Sequence, residues 1–305
     1  MNIKIVTHLM PWEVDDALLC FDKFGQSHYY LDKTDNVYFD TSLNLSSYLI
    51  DWNNSQLSKQ FFIDKYNYAC AALSNYKTKH VIYDGDELYG HLDLQRNAVE
   101  PHIDFYLSVC PDTYFHSHLL HYLIAAAKQI NDKYFLITPE ISQVWDNSWD
   151  ILVNKNRKSI DYATWENQDI NDIIYTLENN TDSPYVEKIH EYKWAGWFDL
   201  YNKSFYEQLV PIASDWHGYG PWDLFGMTVC NIAKQYHKTN IQQYVLRNQL
   251  IFDRKIGIYK NNINPAIYKK YITLKDVPKQ RVEFEKNLNT YIQMWHQRSI
   301  KNNLL

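Results

Sequence analysis

The stretch IDFYLSVCPDTYF, residues 103–115, decides how the rest of the chain is read. Ile103 to Val109 is an apolar and aromatic run, broken only by Asp104 and Ser108, with the length of a buried strand. It ends in Cys110-Pro111-Asp112, where proline stops strand pairing and a carboxylate follows. In an open parallel sheet, ligands lie beyond the carboxyl ends of the strands, so an acidic residue there is a candidate ligand. Asp112 is equally suited to cap a helix starting near Phe115. The neighbouring segments decide what weight each reading takes.

Upstream, IKIVTHL (3–9) reads as a buried opening strand, and WEVDDALLCFDKF (12–24) as a helix through Val14, Ala17, Leu18 and Phe21. NVYFDTSLNLSS (36–47) is a second strand running into a polar loop. Residues 56–75 are helical through Leu57, Phe61, Tyr66 and Ala71, and HVIYDG (80–85) is a third strand. ELYGHLDLQRNAVEPH (87–102) contains the next helix. Downstream, FHSHLLHYLIAAAKQI (115–130) reads as a helix and KYFLITPEI (133–141) as a fifth strand closed by Pro139. This alternation predicts an α/β fold with a mostly parallel sheet and helices on both faces. Past residue 141 the periodicity weakens, and KWAGWFDLYNKSFYEQLVPI (193–212) regains it. DWHGYGPWD (215–223) is a loop feeding a helix.

With 305 residues, 46% hydrophobic and 16% aromatic, the chain buries a full core and is not disordered. Only 8 glycines occur, and neither GxGxxG nor GxxxxGK[ST] is present. No apolar run approaches the ~20 residues of a membrane span, and MNIKIVTHLM is too polar for a signal peptide. Cys20, Cys70, Cys110 and Cys230 never form CxxC and read as reduced thiols of a cytoplasmic protein. His116, His118 and His121 lack HExxH spacing and read as exposed or core-edge side chains rather than a zinc site. Net charge is −6, yet residues 253–305 hold 11 Lys/Arg against 4 Asp/Glu, a local +7 against −13 for the rest. That tail reads as a solvated helical extension, with a membrane-surface or nucleic-acid contact as the alternative.

The ordered set of features resembles the GT-A glycosyltransferases, especially their family-2-like branch. The matching stretches are VYFDTSLNLS with Asp40, GHLDLQRNAVE with Arg96 and Asn97, and DFYLSVCPDTYF with Asp112. WAGWFDLYNKSFYEQL followed by WHGYGPWD completes the set. The resemblance covers residues 3–235 and implies a GT-A-like, Rossmann-type sheet over 1–235. A donor half (1–141) and an acceptor half (142–235) then precede a basic, mainly helical extension over 236–305. It implies transfer of a sugar from a nucleoside-diphosphate sugar to a glycan or other hydroxyl acceptor. Thr7, Asp40, Asp84, Asp86 and Arg96 would hold the donor, and Asp112 a Mn²⁺ or Mg²⁺ ion under its pyrophosphate. Trp194, Trp197, Trp216, Tyr219 and Trp222 would bind the acceptor. Asp223, at a helix start behind GYGPW, would be the general base of an inverting reaction.

Two positions depart from the family pattern: Cys110 replaces the first Asp of Asp-x-Asp, and Trp222 the Glu of Glu-Asp. A thiolate suits hard Mg²⁺ or Mn²⁺ poorly, so weak metal dependence is expected. YDGDELYG (83–90) holds a literal Asp-x-Asp, which keeps Asp86 as the rival metal ligand. A non-catalytic protein that kept the fold, and a glycoside hydrolase using paired carboxylates, are the alternative functions.

Overall fold

A computed structural model of the chain describes residues 1–47, 50–86, 94–95, 97–141, 143–144, 147–153, 160–161, 171, 175, 177–179, 183–190, 193, 198–209, 241–253, 293 and 297. In chain order the elements are β1 (Asn2–Leu9), α1 (Val14–Ser27), β2 (Asn36–Asn44), α2 (Lys59–Ala71), β3 (Lys77–Tyr83), β4 (Phe105–Val109) and β5 (Thr113–Phe115). They continue with α3 (Leu119–Gln129), β6 (Tyr134–Ile141), β7 (Gln143–Val144), β8 (Ile160–Asp161), β9 (Tyr185–Ile189), β10 (Phe198–Asn202), α4 (Lys203–Leu209) and β11 (Ile241–Asp253). Among the described residues no helix is long and apolar enough to cross a membrane.

Nine strands form one sheet in the order β3-β2-β1-β4-β10-β6-β11-β5, with β9 also on β11. β1, β2, β3 and β4 are mutually parallel, and β6 and β11 run with them. β10 is inserted antiparallel between β4 and β6, while β5 and β9 are antiparallel to β11. The expected α/β class with a mostly parallel sheet is what the chain adopts.

Alternation along the strands gives the sheet two faces. One is apolar: Ile3, Ile5, Phe39, Leu107, Leu200 and Ile137 pack with α1, α2 and α3 into one buried cluster. Phe24 of α1 sits at its centre, 5.2 Å from Phe39, 4.6 Å from Phe115 and 6.1 Å from Phe198 between ring centroids. Gly25, beside it, lets the helices close up, since a Cβ there would lie 2.4 Å from the Ala72 carbonyl oxygen just past α2. The other face carries Lys4, His8, Asp40, Ser42, Ser108, Thr138, Asp199 and Gln243, all buried. Gln95 and α4 cover part of it. Gln95 Nε2 donates to Ser108 Oγ at 2.8 Å, and the Tyr206 ring stacks on Tyr106 at 4.1 Å.

Three expectations are corrected. Thr113–Phe115 is a strand hydrogen-bonded to Ile251–Asp253, and the helix behind it begins at Leu119 with His118 at its N-cap. Asp112 is therefore not the cap of that helix. Pro139 does not close β6 but lies within it, opposite Leu246, and there the register of β11 shifts between Leu246 and Leu250. Proline has no N–H to give, so the partner strand bulges, with Asn248 at φ 62°. Residues 241–253, assigned by sequence to the extension, form β11 inside the sheet. The sheet thus runs past the boundary expected at residue 235, and 254–305 lie outside the described residues apart from 293 and 297.

Candidate functional site

The parallel strands β1, β2, β4 and β6 deliver their carboxyl ends to one edge of the sheet, and the polar face supplies its side chains. His8, the penultimate residue of β1, is buried on that face, with its Nδ1 2.7 Å from Ser42 Oγ. Asn44 Nδ2 approaches His8 Nε2 at 3.5 Å, and the Ser46 N–H donates to Asn44 Oδ1 at 3.0 Å. The ring is thus held between Ser42 on one nitrogen and Asn44 on the other.

At the end of β4, Cys110-Pro111-Asp112 turns the chain, with the Thr113 N–H donating to the Cys110 carbonyl at 3.1 Å. Asp112 is 7% exposed. Among the described residues no hydrogen bond or ion pair holds its carboxylate. Its charge bears on α1, where burial, and then Asp112 and Asp16, push the Cys20 thiol well above the usual cysteine range. Cys20 is therefore an inert core thiol.

At the end of β6, Glu140 is fully buried and lies 3.6 Å from the Arg247 guanidinium of β11. Arg247 also binds Glu187 at 2.5 Å and donates to the Ile151 carbonyl at 2.7 Å. It thereby ties the turn over residues 147–153 to the sheet. Deeper in, Thr138 Oγ1 donates to Asp199 Oδ1 at 2.8 Å, and Gln243 Nε2 donates to Thr138 Oγ1 at 3.2 Å. The polar face is a connected network on this side.

The expected donor residues divide. Thr7 points to the apolar face, is fully buried, and its hydroxyl has no hydrogen-bond partner among the described residues. Asp40 lies in the body of β2, because that strand continues to Asn44, and it pairs with Val6 and Lys79 in register. It is 4% exposed, with Lys4 Nζ at 3.3 Å, and the same ammonium binds Glu100 at 2.5 Å. Burial outweighs Lys4 at Asp40 and raises its carboxyl above the usual range. The Lys4 hydrogen bond dominates at half-exposed Glu100 and lowers that one. Asp84 and Asp86 follow the end of β3 and are exposed, Asp84 being paired with Lys59. Arg96, Trp194, Trp197, Trp216, Tyr219, Trp222 and Asp223 lie outside the described residues.

A hard divalent cation is satisfied by one or two protein carboxylates completed by phosphate oxygens and water. Asp112, buried past the strand end and without a cation among the described residues, fits that role, whereas the Cys110 thiol beside it does not. Among the described residues no three His, Cys, Asp or Glu side chains gather as a ready-made metal site. His8, Ser42 and Asn44 were missed from sequence. Their signal was the alternation in THL and TSLN, which marks a strand end with polar residues on one face.

The geometry defines an α/β sheet protein with a polar edge at its parallel strand ends. No protein-family model matches the chain, and no curated protein matches it. Among solved structures it is similar to S. aureus TarS 1-349 in complex with UDP, at 9% identity and TM-score 0.44, covering 99% of this chain and 72% of that one. GalNAc-T7 with UDP, GalNAc and Mn²⁺ overlays at 10% identity and TM-score 0.43, covering 83% of this chain and 44% of that one. The inositol-1-phosphate CTP transferase from T. maritima overlays at 8% identity and TM-score 0.42, covering 90% of this chain and 96% of that one. The chain spans only 35% of TarS 1-349 in the overlay with its UDP-GlcNAc complex, and 60% with TarS 1-349 alone.

Proposed function

We propose that the chain is a nucleotide-sugar-dependent glycosyltransferase. The observation that carries this is Asp112, which follows the central parallel strand β4, nearly buried and without a cation among the described residues, past the end of a strand that neighbours β1. In this reading the nucleotide lies along those ends, near His8, Ser42 and Asn44, with Asp84 and Asp86 reachable from solvent. Thr7 and Asp40 support the strands from within, and Arg96 joins the donor side. Asp112 would hold Mn²⁺ or Mg²⁺, which would offset charge on the leaving nucleoside diphosphate. Trp194, Trp197, Trp216, Tyr219 and Trp222 offer ring faces to an acceptor. Asp223 takes the acceptor proton, and inversion follows from attack opposite the leaving group.

Calorimetric titration with UDP and GDP, with and without Mn²⁺, is the deciding measurement. Binding that strengthens with Mn²⁺ and loses this response in Asp112→Asn is the expected result. No nucleotide binding under any condition overturns the reading. Cys110→Asp, which restores the second carboxylate, should sharpen Mn²⁺ dependence. For the base, Asp223→Asn should keep donor binding and lower kcat by about 10²–10⁴.

A further inference from the structure

The start of α3 holds a pair of side chains that the proposed transfer chemistry does not use. The His116 and His118 rings stack with centroids 4.6 Å apart and planes 27° from parallel. Their Nδ1 atoms are 3.1 Å apart. Tyr30 packs on the His118 ring at 3.8 Å and Tyr122 lies 6.0 Å from it, so the pair is held in place. At most one proton fits between two nitrogens at that distance.

We propose that His116 and His118 chelate a borderline divalent transition-metal ion, of the Zn²⁺, Ni²⁺ or Cu²⁺ class, through both Nδ1 atoms. Each Nδ1 would lie about 2.0–2.1 Å from the ion, and a 3.1 Å bite then subtends roughly 100° at the metal. That angle falls between square-planar and tetrahedral values, and imidazole is the ligand these ions select over Mg²⁺ or Mn²⁺. Two ligands come from the pair, and water completes the coordination, as no third His, Cys, Asp or Glu gathers there among the described residues. Glu178, salt-bridged to Lys23 at 3.2 Å, acts electrostatically on His116 and can steady it. Metal entry displaces two bonds, the donation from the His118 N–H to His116 Nδ1 and the contact between the two Nδ1 atoms, whose shared proton leaves to solvent or moves to Nε2. This site is separate from Asp112, whose oxygen chemistry suits the harder ions.

The test is competition between the full chain and a chromophoric chelator for Zn²⁺ and Ni²⁺. Wild type should hold one equivalent, and His116→Ala or His118→Ala should weaken it at least tenfold. His80→Ala, on the edge strand β3, should leave it unchanged, and excess Mg²⁺ should not compete. Wild-type affinity in either pair variant, or equal displacement by Mg²⁺, overturns the proposal. Should a variant fail to fold, Cu²⁺ bound to wild type decides by electron paramagnetic resonance. Nitrogen hyperfine structure supports the pair, and a spectrum with oxygen ligands alone rules it out.

Discussion

On one side of the sheet, Phe24 is surrounded by Phe39, Phe115 and Phe198; on the other, Lys4 is shut in with Asp40 and Glu100. On β2 the two sides are one residue apart, at Phe39 and Asp40. The apolar side gains from area removed from water, at about 25 cal/mol per Å², and from close packing. The polar side gains little from being formed and loses much from being half broken, because each buried charge needs its partner. The apolar side therefore fixes the fold, and the polar side can carry ligand-facing groups only where its network stays satisfied.

The largest expected effect comes from the apolar face. Phe24→Ala should cost about 3–5 kcal/mol in chemical denaturation, as a cavity at the centre of the aromatic cluster cannot collapse. A loss under about 1 kcal/mol would mean the ring is not a keystone of that face.

Next is Lys4→Ala, expected to cost about 3 kcal/mol, the low end for breaking a buried pair because Asp40 can take up a proton instead. The double change Lys4→Met with Asp40→Leu should recover most of this stability. Failure to recover would show that the polar face needs its charges and not just its volume.

Gly25→Ala should cost about 1–3 kcal/mol by forcing α1 away from the Ala72 carbonyl. A neutral outcome in thermal melting would show that the helices on the apolar side are looser than their contact implies.

The smallest effect is a pH profile. Glu100, lowered from its ordinary 4.5, adds stability above that value, and the contribution fades as pH falls through its depressed folded pKa. Asp40, raised from 3.8, acts in the opposite sense: its contribution is full below 3.8 and fades as pH rises through the raised value. Glu100→Gln should therefore flatten the acid limb of stability by less than about 1 kcal/mol, the exposed carboxylate being solvent-screened. Asp40→Asn should steepen that limb, and a shared direction for both variants would contradict the division of Lys4 between them.

Local pattern revealed β1, β4 and β6 as compact apolar runs, β2 through VYF at its start, and β3 only through VIY at its end. It did not reveal β11, where Gln243, Arg247 and Gln249 are buried but read as solvent-facing, nor β5, whose three residues looked like the start of a helix. The antiparallel insertion of β10 is a non-local choice that no segment encodes by itself. At the site, Asp112 was legible as an acid at a strand end. Asp40 was misplaced because β2 runs on through Ser42 and Asn44, and His8 was passed over because its meaning depends on those two neighbours across the sheet.

The seat of β11 also dictates an order of events during synthesis. Tyr134 finds its parallel partner only when Ile241 has been made, and among the described residues β5 and β9 pair with no other strand. At translation rates of about 5–20 residues per second, the free edge of β6 stays open on the ribosome for roughly 5–20 s. That interval exposes the pairing groups of YFLITPEI to other nascent chains. Pro139, which cannot donate a backbone hydrogen bond, interrupts that edge during the wait. The proline opposite which β11 bulges in the finished sheet thus also guards the unfinished one.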